Sequence, residues 1–152
     1  MVSSFIPDPL FKQIRESVPM VCIDFVCVQN GKVLLTYRTE EPKKGQWWIQ
    51  GGRLQKNETL AQGLQRLAQR EIGTTVKIVR QIGAYEFFSD AASIPSGIHD
   101  VAVCYLVSPE TTSIKLDSTQ SQHRWIEIIE ETLDPYVKKV LDDAGIWSED
   151  TL

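Results

Sequence analysis

The segment GGRLQKNETLAQGLQRLAQREIG, running from Gly51 to Gly73, decides how the whole chain is read. Asn57 is a suitable N-cap and Gly73 a suitable stop for a helix over 58–72. A short polar side chain satisfies the first backbone N–H groups, and glycine tolerates a left-handed cap. At about 100° per residue, with Leu60 at the origin, Leu64 falls at about 40°, Leu67 at about −20° and Ala68 at about 80°. Those residues form an apolar stripe, and Glu71, at about 20°, falls inside it. A carboxylate turned toward a core is costly unless it is paired or bound to a cation. Two readings meet this pattern equally. Either Glu71, in the last turn, bends out to solvent or to a nearby arginine, or it serves a site.

Upstream, residues 8–17 read as a short helix with Pro9 in its first turn. Met20 to Val28, MVCIDFVCV, is a strand that is apolar almost throughout, as a strand covered on both faces should be. Asp24 interrupts it. It is either a carboxylate satisfied at an edge or by backbone donors, or a ligand-binding acceptor in a cleft. Asn30-Gly31 makes a hairpin turn, since both residues tolerate positive φ. Residues 32–37 return as a strand, 38–45 form a polar loop, and 46–50 (QWWIQ) form a short aromatic strand that Gly51-Gly52 breaks. Of the two tryptophans, one suits core packing or a dimer contact, and the other, Trp48, suits stacking on a nucleobase. Downstream, strands at 75–88 and 99–107 flank a loop containing Pro95, Ser96 and Gly97, and 123–128 is a last strand. Asp134-Pro135 opens a closing helix that runs to Ala144 and stops at Gly145. Helices mixed with strands in one domain over 1–152 make the fold class α/β (α+β), a sandwich.

The bulk properties narrow the function. The 152 residues carry 16 Lys+Arg and 20 Asp+Glu, a formal net charge of −4. Aromatic and β-branched residues are spread throughout, unlike a disordered chain. No apolar run reaches the roughly 20 residues of a membrane span, so no membrane partner is expected. The start, Met1-Val2-Ser3-Ser4-Phe5, lacks the basic and apolar pattern of a secretory signal. Three cysteines (Cys22, Cys27, Cys104) without a CxxC pair suggest neither a disulfide framework nor zinc. A reducing, cytoplasmic setting is expected. Residues 1–80 hold 12 basic and 7 acidic side chains, while 81–152 hold 4 and 13. An acidic whole argues against nucleic-acid binding through phosphates, yet the basic front half suits a small anionic ligand.

The segment 51–73 resembles the Nudix box, G-x5-E-x7-R-E-U-x-E-E-x-G-U with U aliphatic: Gly52, Glu58, Arg66, Glu71 and Gly73 match at the right spacing. Leu67 and Arg70 stand where two box glutamates belong, and Thr74 replaces the final aliphatic. A box of this form, with Leu after the Arg and the last Glu kept, is similar to the GDP-mannose mannosyl hydrolase branch. Ile23-Asp24-Phe25, Leu35-Thr36-Tyr37-Arg38-Thr39 with Pro42, Gly45-Gln46-Trp47 and Arg124-Trp125 extend the resemblance over roughly 18–126. It implies a Nudix-type α/β/α sandwich with a mixed β-sheet, acting on a nucleotide sugar with Mg²⁺ or Mn²⁺ on the diphosphate. Water there attacks the sugar anomeric carbon and a nucleoside diphosphate leaves. The resemblance makes Glu71 and the Gly51 carbonyl metal ligands and puts Arg38 and Arg53 on the leaving group. Arginine's planar fork suits phosphate oxygens. Asp24, Arg66 and Trp48 complete the expected substrate contacts, although Arg66 could equally pair with Glu58 and only shape the loop. Arg70 reads as a surface residue. A homodimer is implied as well.

The resemblance fails at one place. The branch carries a Gln-His pair shortly before the Arg-Trp, and here Thr119 and Gln120 occupy those positions. An amide cannot take a proton as His does, though Gln120 can still ligate a metal through its oxygen. His99, beside Asp100, ranks ahead of His123 as a replacement base, and either could be an ordinary structural histidine. Three outcomes stay open: the same glycosyl transfer with another base, attack at phosphorus, or a nucleotide-binding module with little turnover.

Overall fold

A computed structural model describes residues 6–111, 113–116 and 120–147, without the side chains of Gln120 and Ser121. The order is α1 (Asp8–Ser17), β1 (Met20–Gln29), β2 (Lys32–Arg38), β3 (Trp47–Trp48), β4 (Gln50–Arg53), α2 (Leu60–Ile72), β5 (Val76–Ala91), β6 (Ile94–Pro109), β7 (Gln120–Ile126) and α3 (Pro135–Ala144). The sheet has the order β3-β2-β1-β6-β5, with β4 paired to β1 and β7 paired to β2. Among the described residues, β1 and β6 run parallel and the other pairs antiparallel. The result is an α+β sandwich around a mixed sheet.

The alternation of β1 explains the layers. Ile23, Phe25 and Cys27 point to one side, where Leu64, Leu67, Ala68 and Ile72 of α2 cover them. Val26 points to the other, into a core completed by Val137, Val140 and Leu141 of α3. Successive strand residues face opposite ways, so Asp24, between Ile23 and Phe25, belongs to the α3 side. Gly63 lets α2 approach closely: a Cβ there would lie 2.6 Å from Ile23 Cδ1.

Four expectations need correction. Gly51-Gly52 does not break a strand; the break is at Ile49, and both glycines pair with β1, Asp24 opposite Gly51 and Ile23 opposite Gly52. Glycine fits there because a Cβ on Gly51 would collide with Asp24 Oδ1 and lie 2.6 Å from the Ile23 carbonyl oxygen. The helix begins at Leu60, and its N-cap is Thr59 in a capping box with Gln62. Asn57 is instead a turn residue at φ 70°. The loop expected around Pro95–Gly97 is part of β6: between Ser89↔Ile98 and Ala91↔Ile94, four-residue spacing on β6 meets two-residue spacing on β5. A bulge with Gly97 at φ 87° absorbs the excess, so turn-forming residues do not end the strand. The last strand ends at Ile126 rather than 128. The hairpin at Asn30-Gly31 and the limits of α1 and α3 agree with the expectations.

Thr59→Ala is expected to lower stability by about 1 kcal/mol in urea denaturation, the usual worth of an N-cap. Asn57→Gly, at a positive-φ site, should leave it within about 0.5 kcal/mol of wild type.

Candidate active site

The last turn of α2 sets the site. Glu71 is 4% exposed, inside the stripe with Leu64, Leu67, Ala68 and Ile72. Its carboxylate faces a cleft enclosing about 240 Å³, which Gly51 and Gly52 of β4 also line. Glu71 Oε1 lies 3.4 Å from Arg70 Nη2. Arg70 is a surface residue as expected, its side chain 53% exposed, and it stands at the rim of the cleft.

Across the cleft, Asp24 Oδ2 accepts a 2.5 Å hydrogen bond from the Tyr136 hydroxyl. Tyr136 comes from α3, where Asp134 Oδ1 caps its backbone N–H at 2.9 Å. The Tyr136 ring stacks on Trp48 at 5.9 Å and meets Phe87 edge-on at 5.2 Å. This aromatic group, together with the sheet, excludes water from one side of Asp24. Burial pushes the Asp24 carboxyl up to about 6; the neighbouring Asp100 adds to the shift, while the Tyr136 bond and Arg38 oppose it. Asp100 also lines the cleft and is likewise raised, chiefly by burial. Burial raises the Cys22 thiol too, so it stays protonated near neutrality.

Arg38 reaches the cleft from the end of β2. Its Nε donates to the Pro42 carbonyl at 2.7 Å and its Nη2 to the Glu40 carbonyl at 3.4 Å, so the loop it starts holds its guanidinium in place. That loop is anchored in turn by Lys43, 3.1 Å from Asp134 at the head of α3.

The cleft thus gathers Asp24, Arg38, Trp48, Gly51 and Glu71 of the residues singled out from the sequence. Three others lie elsewhere. The Arg53 guanidinium sits over the Phe11 ring at 5.6 Å. Arg66 binds both oxygens of Glu58, at 2.6 and 3.0 Å, and donates to the Arg53 carbonyl at 2.9 Å, which braces the turn between β4 and α2. His99 stacks on Phe88 at 4.4 Å; its neighbour Asp100 faces the cleft because adjacent strand residues point opposite ways. His123 pairs with Thr36 in the β2–β7 ladder. The Gln120 side chain lies outside the described residues, as does Thr119, but the Gln120 backbone is in register with Arg38.

Sequence reasoning missed Tyr136, Phe87 and Asp100. Asp100 was noted only as the neighbour of His99, although it leads an apolar run, DVAVCYLV. Nothing local marks Tyr136, 112 positions from the aspartate it serves.

Among the described residues no three His, Cys, Asp or Glu side chains form a cluster able to hold a metal. The donors at the cleft are nonetheless of one kind: carboxylates at Glu71 and Asp24 beside the glycine backbone, with the one thiol protonated. Hard oxygen donors fit Mg²⁺ or Mn²⁺ and leave room for phosphate oxygens as further ligands.

The NUDIX domain model matches residues 19–144. The low-salt glycan biosynthesis protein Agl8 of Haloferax volcanii is 37% identical over 140 residues, covering 90% of this chain and 89% of its own. A MutT NUDIX hydrolase from Burkholderia pseudomallei superposes with a TM-score of 0.72 at 21% identity, over 84% of this chain and 98% of its own. The NUDIX domain of Shewanella oneidensis NrtR, solved with ADP ribose, gives 0.65 at 19% identity, over 84% and 87%. A sandwich of this topology with a buried glutamate closing a glycine-flanked helix, and a family match across most of the chain, lead to one conclusion: the chain belongs to the Nudix family and is a Nudix hydrolase.

Proposed function

We propose that the substrate is a nucleotide sugar of the GDP-mannose kind, and that water attacks the anomeric carbon while the nucleoside diphosphate leaves. The observation that carries the reading is Glu71, buried in its helix stripe yet facing a cleft with the glycine pair and Arg38. The glycan-biosynthesis name of the Haloferax relative supports a sugar-linked substrate. The reading includes a single domain, a cytoplasmic setting and a homodimer. The three free cysteines are in keeping with that setting.

Glu71, the Gly51 carbonyl and Gln120 would hold Mg²⁺ or Mn²⁺. The bound ion would neutralise charge developing on the departing diphosphate. Arg38, fixed by its loop carbonyls, grips the same diphosphate without reorganising when charge appears. Trp48, 8% exposed and stacked on Tyr136, backs the cleft from the core. Since His99 stacks on Phe88, the water's proton falls to an acid of the cleft, Asp24 or Asp100. Keeping a carboxylate such as Asp24 against aromatic rings opposes stability, which a purely structural position would not retain.

The deciding experiment is hydrolysis of GDP-mannose with Mg²⁺ in ¹⁸O-labelled water. Label in mannose, with GDP as co-product, is expected; label in phosphate with GMP would place attack at phosphorus instead. Glu71→Gln should cut the metal-stimulated rate at least about a hundredfold, more than a change around a ligand does. A second outcome concerns pH. The folded pKa of Asp24, about 6, exceeds its ordinary 3.8. The stability this gives is complete below about pH 4 and is lost as pH rises through about 6. In chelator, Asp24→Asn keeps an acceptor for Tyr136 and should be more stable than wild type at about pH 7.5, by on the order of 1–3 kcal/mol, with the difference gone by about pH 4. Its hydrolytic rate should fall.

A further inference from the structure

Asp134, at the head of α3, lies outside the cleft lining, and its side chain is 12% exposed. Each of its oxygens has a different partner. Oδ1 accepts from the Tyr136 backbone N–H at 2.9 Å, and Oδ2 lies 3.1 Å from Lys43 Nζ. The first contact fixes the start of α3, whose Tyr136 donates to Asp24 and stacks on Trp48. The second reaches the loop between β2 and β3. That loop closes on Arg38, whose N–H donates to the Gln46 carbonyl at 3.0 Å and whose carbonyl accepts from the Gly45 N–H at 2.9 Å. Inside it, the Pro42 carbonyl, next to Lys43, accepts from Arg38 Nε at 2.7 Å. Lys43 sits at φ 64°, a left-handed conformation that lysine does not favour by itself. Its ion pair with a part-buried carboxylate therefore helps to hold the backbone that presents the Pro42 carbonyl to Arg38.

A guanidinium contributes most to binding and to charge stabilisation when it is in place before the ligand arrives. We infer that Asp134 is a positioning residue for Arg38: its carboxylate ties the Arg38 loop to the helix whose Tyr136 holds Asp24, so that cation and acid are presented to the cleft as one braced unit. The inference rests on the nucleotide-sugar reading, in which Arg38 meets the diphosphate, and it deepens that reading. Asp134 itself touches no substrate; it acts through Lys43 and the loop carbonyls.

The test compares the full chain with its Asp134→Ser, Asp134→Ala and Arg38→Gln variants and with the Asp134→Ser, Arg38→Gln double variant. The change is made at Asp134 because Lys43 lines the cleft itself. Serine is a competent N-cap but too short to reach Lys43, so it removes the ion pair and keeps the start of α3. Its melting temperature should stay within about 4 °C of wild type, with Asp134→Ala below it. ¹⁵N NMR without substrate reads the Arg38 Nε–H: its slow exchange in wild type should be lost in Asp134→Ser. With GDP-mannose and Mg²⁺, Asp134→Ser should lower kcat/KM about tenfold or more, the cost of a misplaced binding group. In the Arg38→Gln background the same change should cost less than about twofold, because the group it places is gone. The inference is overturned if the Arg38 Nε–H of Asp134→Ser exchanges as in wild type, if its kcat/KM stays within about twofold of wild type, or if the two substitutions cost independently. If wild type neither binds nor hydrolyses GDP-mannose, the nucleotide-sugar reading fails, and the exchange comparison alone decides whether Asp134 orders Arg38.

Discussion

An acid held inside a hydrophobic stripe is the constraint around which this molecule is organised. Glu71 occupies a position that helix geometry assigns to the core, and it is 4% exposed there. Burial of a carboxylate without compensation is among the more costly things a fold can do. The structure sets the side chain at a cleft, beside the Arg70 guanidinium and a wall of glycine backbone. Gly51 and Gly52 supply that wall. Their absence of Cβ atoms leaves space that Asp24, Leu67 and Arg70 occupy.

The wall in turn depends on strand register. β4 pairs with β1 so that Asp24 faces Gly51 and Ile23 faces Gly52. One residue of slippage would turn Asp24 toward α2 and put Ile23 or Phe25 against the cleft, since strand side chains alternate. The packing of Ile23, Phe25 and Cys27 under α2 fixes the register and thereby places an acid on the α3 side. There Tyr136 meets it, held by stacking on Trp48 and by the capped start of α3. The cleft is thus a by-product of two cores packed on opposite faces of one strand. The Glu58–Arg66 pair plays a supporting part: it braces the turn that delivers α2 to the sheet.

Much of this was legible in advance where physics is local. Helix periodicity placed Glu71 inward, and the Asn30-Gly31 turn and the Asp134-Pro135 start of α3 follow from backbone preferences of a few residues. The errors share a cause. Pro95 and Gly97 form turns in isolation, but pairing with β5 and the burial of Ile94 and Ile98 hold them in a bulged strand. Glycine at 51 and 52 looked like punctuation because its role, close approach to β1, is made by a strand distant in sequence. Asn57 and Thr59 are both competent caps, and the choice went to the one whose partner, Gln62, completes a reciprocal pair.

The amino-acid order alone pointed to most of the elements, to an acid within the apolar stripe of α2, and to the family. These depend on spacing along one helix or strand, which the chain carries in itself. Which arginines reach the cleft was decided in three dimensions. Arg38 and Arg70 line it, while Arg53 lies over Phe11 and Arg66 is bound to Glu58. A long flexible side chain goes where its partners are, and those partners come from other elements. The same holds for Tyr136, whose hydroxyl finds Asp24 only because α3 packs across the face of β1 from which that carboxylate projects.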